Sequence, residues 1–440
     1  MFFDEQVGNL LYFLMLNLLY NISIYGYTLI INILAPFNAK AKFWIDGRKD
    51  IFERLKSAIG EQKSSQKIAW FHCASLGEFE QGRPVIEAFR TKYPTFKILV
   101  TFFSPSGFEV RKNYIGGTPQ RADFIFYLPA DTPENARKFI EIVNPSIAFF
   151  VKYEFWRNYL SELQMHQIPV ISFSTIFRPN QLFFKPYGGF YRKVLKQFNH
   201  ILVQNQESYN LLQSIDIHAV TLAGDTRFDR VKQIVDAKKD IAIAKDFKTN
   251  RQIFMVGSAW QTDMEVLIPF INAVKSNSNI IFVIAPHEIH REEINAWQKQ
   301  IQLKSICFSE VKPETQLLDY QVLIIDNIGM LSSLYQYADF AFIGGSFGKG
   351  LHNILEAATF GMPIFFGNKA YHKFQEANDL VRLKGAFPVA STADILLIFN
   401  DLLGNESRKN QAANVCKNYV LDNIGSTEKV MKVVESILND

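Results

Sequence analysis

The amino-acid sequence predicts an α/β protein made of two doubly wound halves behind an apolar N-terminal segment. Three observations predict it. From about Lys67 onward, short apolar runs alternate with helical stretches, the pattern of a parallel sheet covered on both faces. The series breaks once, at a charged, Ala/Lys/Asp-rich stretch after Asp229, and then resumes. The chain has 440 residues, and at roughly 150 residues per domain that leaves room for two or three domains.

The composition excludes several classes. Hydrophobic residues make up 48% and charged residues 20%, which rules out a disordered chain and a disulfide-stapled mini-scaffold. Lys and Arg number 47 against 43 Asp and Glu, too even a balance for a dedicated nucleic-acid binder. The three cysteines, Cys73, Cys307 and Cys416, are widely spaced with no CxxC, which fits a reducing compartment.

Residues 1–40 read as a membrane anchor. No Asp, Glu, Lys or Arg lies between Glu5 and Lys40. Leu10–Leu34 forms an apolar stretch of about 25 residues, or about 37 Å of helix, enough for a tilted crossing of a hydrocarbon layer of about 30 Å. A full span is the preferred form, with an amphipathic helix lying in the interface or a core helix as alternatives. A cleaved signal peptide is disfavoured, because Asp4 and Glu5 replace the usual basic residues. Lys40, Lys42, Arg48 and Lys49 follow, which places the remainder on the cytoplasmic side.

The first half, 41–235, runs through the strands KIAWFHCAS, KILVTFFS, FIFYLPA, PSIAFFV, VISFST and HILVQN. A linker is expected over 236–250. The second half, 251–425, contains QIFMVGS, NIIFVIAP, VLIID, FAFIGG and PIFFG, and a C-terminal helix is expected over 426–440.

In open α/β sheets ligands bind beyond the carboxyl ends of the strands, so residues just past each strand are the candidates. Glu78 follows KIAWFHCAS and falls in the first turn of the next helix, where the macrodipole favours its ionised form. It is either a general base or a simple complement to the helix terminus. Cys73 and His72 are neighbours on a strand and point to opposite faces, so they do not make a dyad. After FAFI, the segment from Gly344, Gly345 and Ser346 to Asn353 holds four glycines in seven residues. Such a loop, opening the helix NILEAATFG, suits either an anion or close backbone packing. It is not a Walker A motif. Asn353 and Glu356 fit a capping pair, and Glu356 could instead reach a ribose diol. Ser258, Pro286-His287 and Asp326 to Met330 end three further strands. His287-Glu288-Ile289-His290 lacks the HExxH spacing and no D-x-D occurs, so no metal is expected. Residues 176–198 mix five basic residues with Phe and Tyr, which suits either a membrane surface or aromatic core packing.

Taken together, the segments WFHCASLGE (70–78), YEFWRN (153–158), ILVQNQES (201–208), GDTRFDR (224–230) and GGSFGKGLHNILEAATFGMPIFFG (344–367) resemble, in order, the transferases of 3-deoxy-D-manno-octulosonic acid (Kdo) that act on lipid A precursors. The match runs from about Trp70 to Leu380, with the anchor in addition. The resemblance implies a GT-B architecture, two Rossmann-like domains facing a central cleft, and no cofactor. It implies that Glu78 is the general base and that Glu154 and Arg227 stabilise the transition state. It assigns Pro286, His287, Ile328, Gly329, Met330, Asn353, Ile354, Leu355 and Glu356 to the CMP moiety, with Gly344, Gly345 and Ser346 as the phosphate loop. Three positions depart from the family pattern: Arg227 replaces the usual Lys, which keeps the charge but alters donor geometry, His287 stands where Arg is more frequent, and Met330 where Glu is common.

The implied reaction is inverting transfer of Kdo from CMP-Kdo to a lipid A precursor in the bilayer, in lipopolysaccharide biosynthesis. The N-terminal half would take the lipid acceptor and the C-terminal half the donor. Two rivals share parts of this pattern: a nucleotide-sugar 2-epimerase of the same architecture, and a non-catalytic, membrane-tethered lipid-binding protein.

Overall fold

A computed structural model of the protein describes residues 2–60, 66–115, 121–274 and 279–439, with side chains from Tyr12 onward. The chain divides into two compact units, Met1–Arg230 with Gly425–Asp440, and Val231–Ile424.

The first unit carries a seven-stranded sheet: β1 (Ile68–Cys73), β2 (Lys97–Phe102), β3 (Phe124–Tyr127), β4 (Ile147–Val151), β5 (Val170–Thr175), β6 (His200–Val203) and β7 (Val220–Leu222), in the order 3-2-1-4-5-6-7. The second carries β8 (Gln252–Ala259), β9 (Ile280–Pro286), β10 (Ser305–Cys307), β11 (Val322–Ile324), β12 (Phe340–Ile343), β13 (Ile364–Gly367) and β14 (Ala386–Val389), in the order 10-11-9-8-12-13-14. Every strand pairing is parallel. The strands are apolar on both faces because helices cover both; β1, β4 and β5 are buried at every residue. These are two Rossmann-like α/β units of the predicted GT-B class. In each, the chain crosses from one side of its first strand to the other, between β1 and β4 and between β8 and β12, and such a switch point opens a crevice at the carboxyl ends of the strands.

The units differ in extent from the division read off the sequence. Within 236–250, helix Ala242–Lys248 buries Ala244 and Phe247 and counts with the second unit. Helix Ser426–Asn439 returns to the first unit, where Val430, Met431 and Val434 join the core beside Phe79, Val85 and Phe89.

Two further expectations are corrected or extended. In residues 176–198, Phe177, Phe183, Phe190 and Phe198 are buried, so core packing accounts for most of that aromatic content; Tyr187 and Leu182 stay exposed. The N-terminal helix spans Phe2–Leu34. Its portion Tyr12–Leu34 is long and apolar enough to cross a membrane.

Candidate functional site

At the switch point of the first unit, β1 delivers His72 and β4 leads to Glu154. Both are buried, and they meet: His72 Nε2 lies 3.2 Å from Glu154 Oε2, while His72 Nδ1 lies 2.9 Å from the Thr101 hydroxyl. Trp70 Nε1 donates to the same hydroxyl at 2.8 Å and Trp156 Nε1 donates to Glu154 Oε2 at 2.6 Å. Glu154 thus has a donor in Trp156 and a close imidazole in His72, so the buried carboxylate is not left without a partner. His72 pairs with Glu154 and not with Cys73, whose thiol lies in the core on the other face and is raised well above its ordinary range by burial and by Glu78 and Glu154.

Glu78 stands in the first turn of helix Leu76–Lys92, partly buried, and accepts from the Ser75 hydroxyl. Tyr153 lies within electrostatic reach of Arg178, Arg227, Glu78 and Asp225, its phenol raised chiefly by burial. Glu78, Glu154 and Arg227 therefore gather at one end of the first sheet. Arg227 is not a bare cation: its Nε donates to Asp225 Oδ2 at 2.8 Å, and its backbone N–H to Asp225 Oδ1 at 2.9 Å. Asp225 is buried, which alone would raise its carboxyl; Arg227 and the donation from Gln81 Nε2 at 3.0 Å outweigh this and hold it below the ordinary value. The backbone is strained at the same end. Lys152, just past β4, and Ser174, in β5, adopt φ of 70° and 52°, a conformation that non-glycine residues keep only where the surroundings impose it.

In the second unit, Gly344 and Gly345 follow β12 beside the end of β8. A Cβ on Gly344 would lie 2.2 Å from the Ser258 carbonyl oxygen; Gly345 has φ +93°, and its Cβ would lie 2.3 Å from the Gly350 carbonyl oxygen. Glycine is thus required at both. The loop's anion-binding capacity is partly used from within. Gly345 N–H donates to Asp263 Oδ2 at 2.8 Å, and Trp260 N–H donates to the same atom at 2.9 Å. Burial pushes the Asp263 carboxyl up to about 6 against these two donors. Ser346 is fully buried, and its hydroxyl and Asp263 Oδ1 have no hydrogen-bond partner among the described residues.

Pro286 closes β9 and His287 N–H donates to the Ala259 carbonyl at 2.9 Å. The His287 ring stacks on Trp260 at 4.4 Å and on His352 at 4.2 Å, and Trp260 Nε1 donates to His352 Nε2 at 2.8 Å. Burial lowers both imidazoles, His352 to about 4. The Lys349 ammonium sits 3.7 Å over the Trp260 ring. Glu356 accepts from the Ser332 hydroxyl at 2.8 Å, two residues past the predicted segment that ends at Met330, and from Asn353 Nδ2 at 3.1 Å. Asn353 caps helix Ile354–Phe360 by accepting from Leu355 N–H, and Gly361 ends it at φ 75°. Ile354 and Leu355 turn their side chains into the core, so they can offer a ligand backbone only. Ile328 is 91% exposed, Gly329 has φ +94°, and Met330 opens helix Leu331–Leu334. No group of three or more His, Cys, Asp or Glu among the described residues is placed to hold a metal ion.

Sequence reasoning did not single out Thr101, Trp156, Asp225, Trp260, Asp263 or Lys349. Thr101, Asp225, Trp260 and Asp263 lie at or within four residues of a strand end, and Trp156, Asp225 and Lys349 lie inside the segments that carry the resemblance.

Residues 49–230 match a family model described as 3-deoxy-D-manno-octulosonic-acid transferase (kdotransferase). The 3-deoxy-D-manno-octulosonic acid transferase of Rickettsia bellii is 25% identical over 398 residues, 89% of this chain and 92% of that protein. That of Haemophilus influenzae is 25% identical over 84% of this chain and 87% of its own length. Among solved structures, UDP-GlcNAc 2-epimerase from Neisseria meningitidis bound to UDP-GlcNAc superposes with a TM-score of 0.58 at 16% identity, covering 86% of this chain and all of that one. UDP-GlcNAc 2-epimerase from Methanocaldococcus jannaschii gives 0.54 at 14% identity. At these identities the structural likeness concerns the fold alone.

Proposed function

We propose that this relative of the Kdo transferases is a glycosyltransferase of lipopolysaccharide biosynthesis that moves Kdo from CMP-Kdo to a lipid A precursor at the cytoplasmic face of the inner membrane. The observation that carries the reading is similarity to Kdo transferases over 89% of the chain, in which Glu78 and Glu154 fall at a sheet end.

In this reading the acceptor hydroxyl gives its proton to Glu78 as its oxygen bonds to the anomeric carbon of Kdo. The bond from that carbon to the phosphate oxygen breaks and CMP departs with the electron pair. Single displacement inverts the anomeric centre. Glu154, held beside His72 and Trp156, is the group that favours oxocarbenium character in the transition state. Arg227, steadied by Asp225, contributes positive charge toward the leaving phosphate. On the donor side, Ser346 Oγ and Lys349 are the groups best suited to the anion, since the Gly345 N–H already serves Asp263. Glu356, Asn353 and the stack of Trp260, His287 and His352 offer a ribose acceptor and a flat surface for the base. Pro286, Ile328, Gly329, Met330, Ile354 and Leu355 shape that side chiefly through backbone.

The test is incubation of the purified chain with labelled CMP-Kdo and a purified lipid A precursor. A lipid product heavier by one or more Kdo units, with matching release of CMP, supports the reading. The rival 2-epimerase of the same architecture has its own signature, epimerisation of UDP-GlcNAc without any acceptor. Lipid binding without CMP release would favour a non-catalytic tether.

A further inference from the structure

The N-terminal helix presents two apolar faces, and only one is covered. Phe13, Tyr20, Ile24, Tyr27 and Ile31 share a face at helical spacing and turn toward the first unit. Phe13 and Tyr20 pack on Phe190 at 5.5 and 6.3 Å between ring centroids, Tyr27 stacks on Phe103 at 6.0 Å, and Ile31 is buried with Trp44 and Ala130. The middle of the helix is fastened by polar contacts. Tyr20 OH donates to Asp131 Oδ2 at 2.5 Å, and Asn158 Nδ2 donates to Asn21 Oδ1 at 3.0 Å. Asp131, fully buried, also accepts from the N–H groups of Asn158 and Tyr159 at 3.1 and 3.0 Å. On the opposite face Leu14, Leu18, Leu19, Ile22, Leu29 and Ile33 are each more than half exposed.

These contacts run from Phe13 to Ile31, about 27 Å along the axis, close to the whole hydrocarbon thickness of about 30 Å. A helix so attached cannot cross a bilayer without carrying Asp131, Arg157 and Lys193 into the hydrocarbon, and charged groups there are strongly disfavoured. Yet the bare face is mostly apolar, with Tyr25 and Asn32 among its exposed polar-bearing residues, and so much apolar surface is unfavourable in water. The cations along the covered face and after the helix suit anionic head groups: the Lys193 ammonium lies 4.1 Å over the Phe13 ring, Arg157 lies 5.9 Å from it, and Lys40 and Lys42 follow the helix.

We propose that the N-terminal helix does not span the membrane but lies in the plane of one leaflet, its inner face docked on the first unit and its outer face sunk among the upper acyl chains of an anionic lipid surface. This rests on the membrane association proposed above and replaces the preferred full span by the interfacial alternative. The helix then belongs structurally to the first unit and holds that unit at the depth of the lipid head groups.

The test uses the full chain bound to vesicles of phosphatidylethanolamine and phosphatidylglycerol in a 3:1 ratio. Spin labels are placed through Leu18→Cys, Ile22→Cys and Leu29→Cys, the three native cysteines being buried. Depth is read from relaxation by oxygen and by a water-soluble nickel chelate. The in-plane helix gives one common depth of about 5–10 Å below the head groups at all three sites. A spanning helix would spread Leu18 and Leu29 over about 16 Å of depth, and that result overturns the proposal. As a second readout, an N-terminal peptide tag on the chain in inside-out inner-membrane vesicles is expected to be removed by added protease; protection of the tag would contradict the proposal. Failure to bind vesicles would overturn it together with the membrane association, while Kdo transfer assayed in detergent tells separately whether the proposed reaction stands.

Discussion

Arg227 and Asp225 show how one residue pair can serve both charge and stability. Asp225 is buried and kept ionised by Arg227 and Gln81. Arg227→Lys retains the positive charge and is expected to keep transfer within about tenfold. Arg227→Ala leaves a buried carboxylate short of its counter-charge, at a cost of about 3 kcal/mol, and is expected to lower activity much further. Thermal unfolding and kcat measured on both variants check this; equal losses in the two would contradict it. Asp263 carries a pH signature. Its carboxyl titrates near 6 in the folded protein and near 3.9 in an unfolded chain. Between those values the folded form binds more protons, so stability falls as pH rises through about 6. The deficit at pH 7 is on the order of 3 kcal/mol. Asp263→Asn is expected to remove this slope, so the difference in Tm between variant and wild type should move in favour of the variant from pH 5 to pH 7. Parallel pH profiles would count against the assignment.

At the scale of the element, the glycine loop after β12 separates required from dispensable glycines. Gly345→Ala meets the Gly350 carbonyl at 2.3 Å in a left-handed conformation, which should cost at least about 1–3 kcal/mol and weaken donor binding. At Gly348 the nearest atom is Thr262 Oγ1 at 3.7 Å, so Gly348→Ala should stay within about 0.5 kcal/mol. Denaturant unfolding and CMP titration of the two variants provide the check; similar losses would contradict the loop geometry. The same scale shows what sequence reading could reach. Eleven strands announce themselves as apolar runs because they are covered on both faces. β7, β10 and β14 do not: they are three or four residues long and sit at sheet edges, where a short segment needs no continuous apolar run. Glu78 was legible from its place after β1. Its neighbour His72 was legible as a residue but not as the partner of Glu154, because that contact depends on β1 and β4 lying side by side, 82 positions apart in sequence. Asp263 was hidden for a similar reason, since it reaches the loop at Gly345 from a different helix.

Across the whole molecule, the chain leaves the first unit at Arg230 and re-enters it at Gly425. Asp229 secures the return, accepting from Gly425 N–H at 2.6 Å, Thr427 N–H at 2.6 Å and the Thr427 hydroxyl at 2.7 Å. The returning helix packs against Leu76–Lys92, the helix that carries Glu78, and Lys92 pairs with Glu435. Asp229→Ala strips three donors of their acceptor and should destabilise the first unit by about 1–3 kcal/mol, with transfer falling more than CMP affinity. A melting curve identical to wild type would contradict that role. The account as a whole stands on Glu78 acting as the base that activates the acceptor. The most direct measurement compares wild type with Glu78→Gln in Kdo transfer to a lipid A precursor, with CMP affinity determined by calorimetry on the same samples. The expected result is a loss of turnover of at least about 100-fold with CMP affinity unchanged; wild-type turnover in Glu78→Gln would remove Glu78 from the reaction and the proposed mechanism with it.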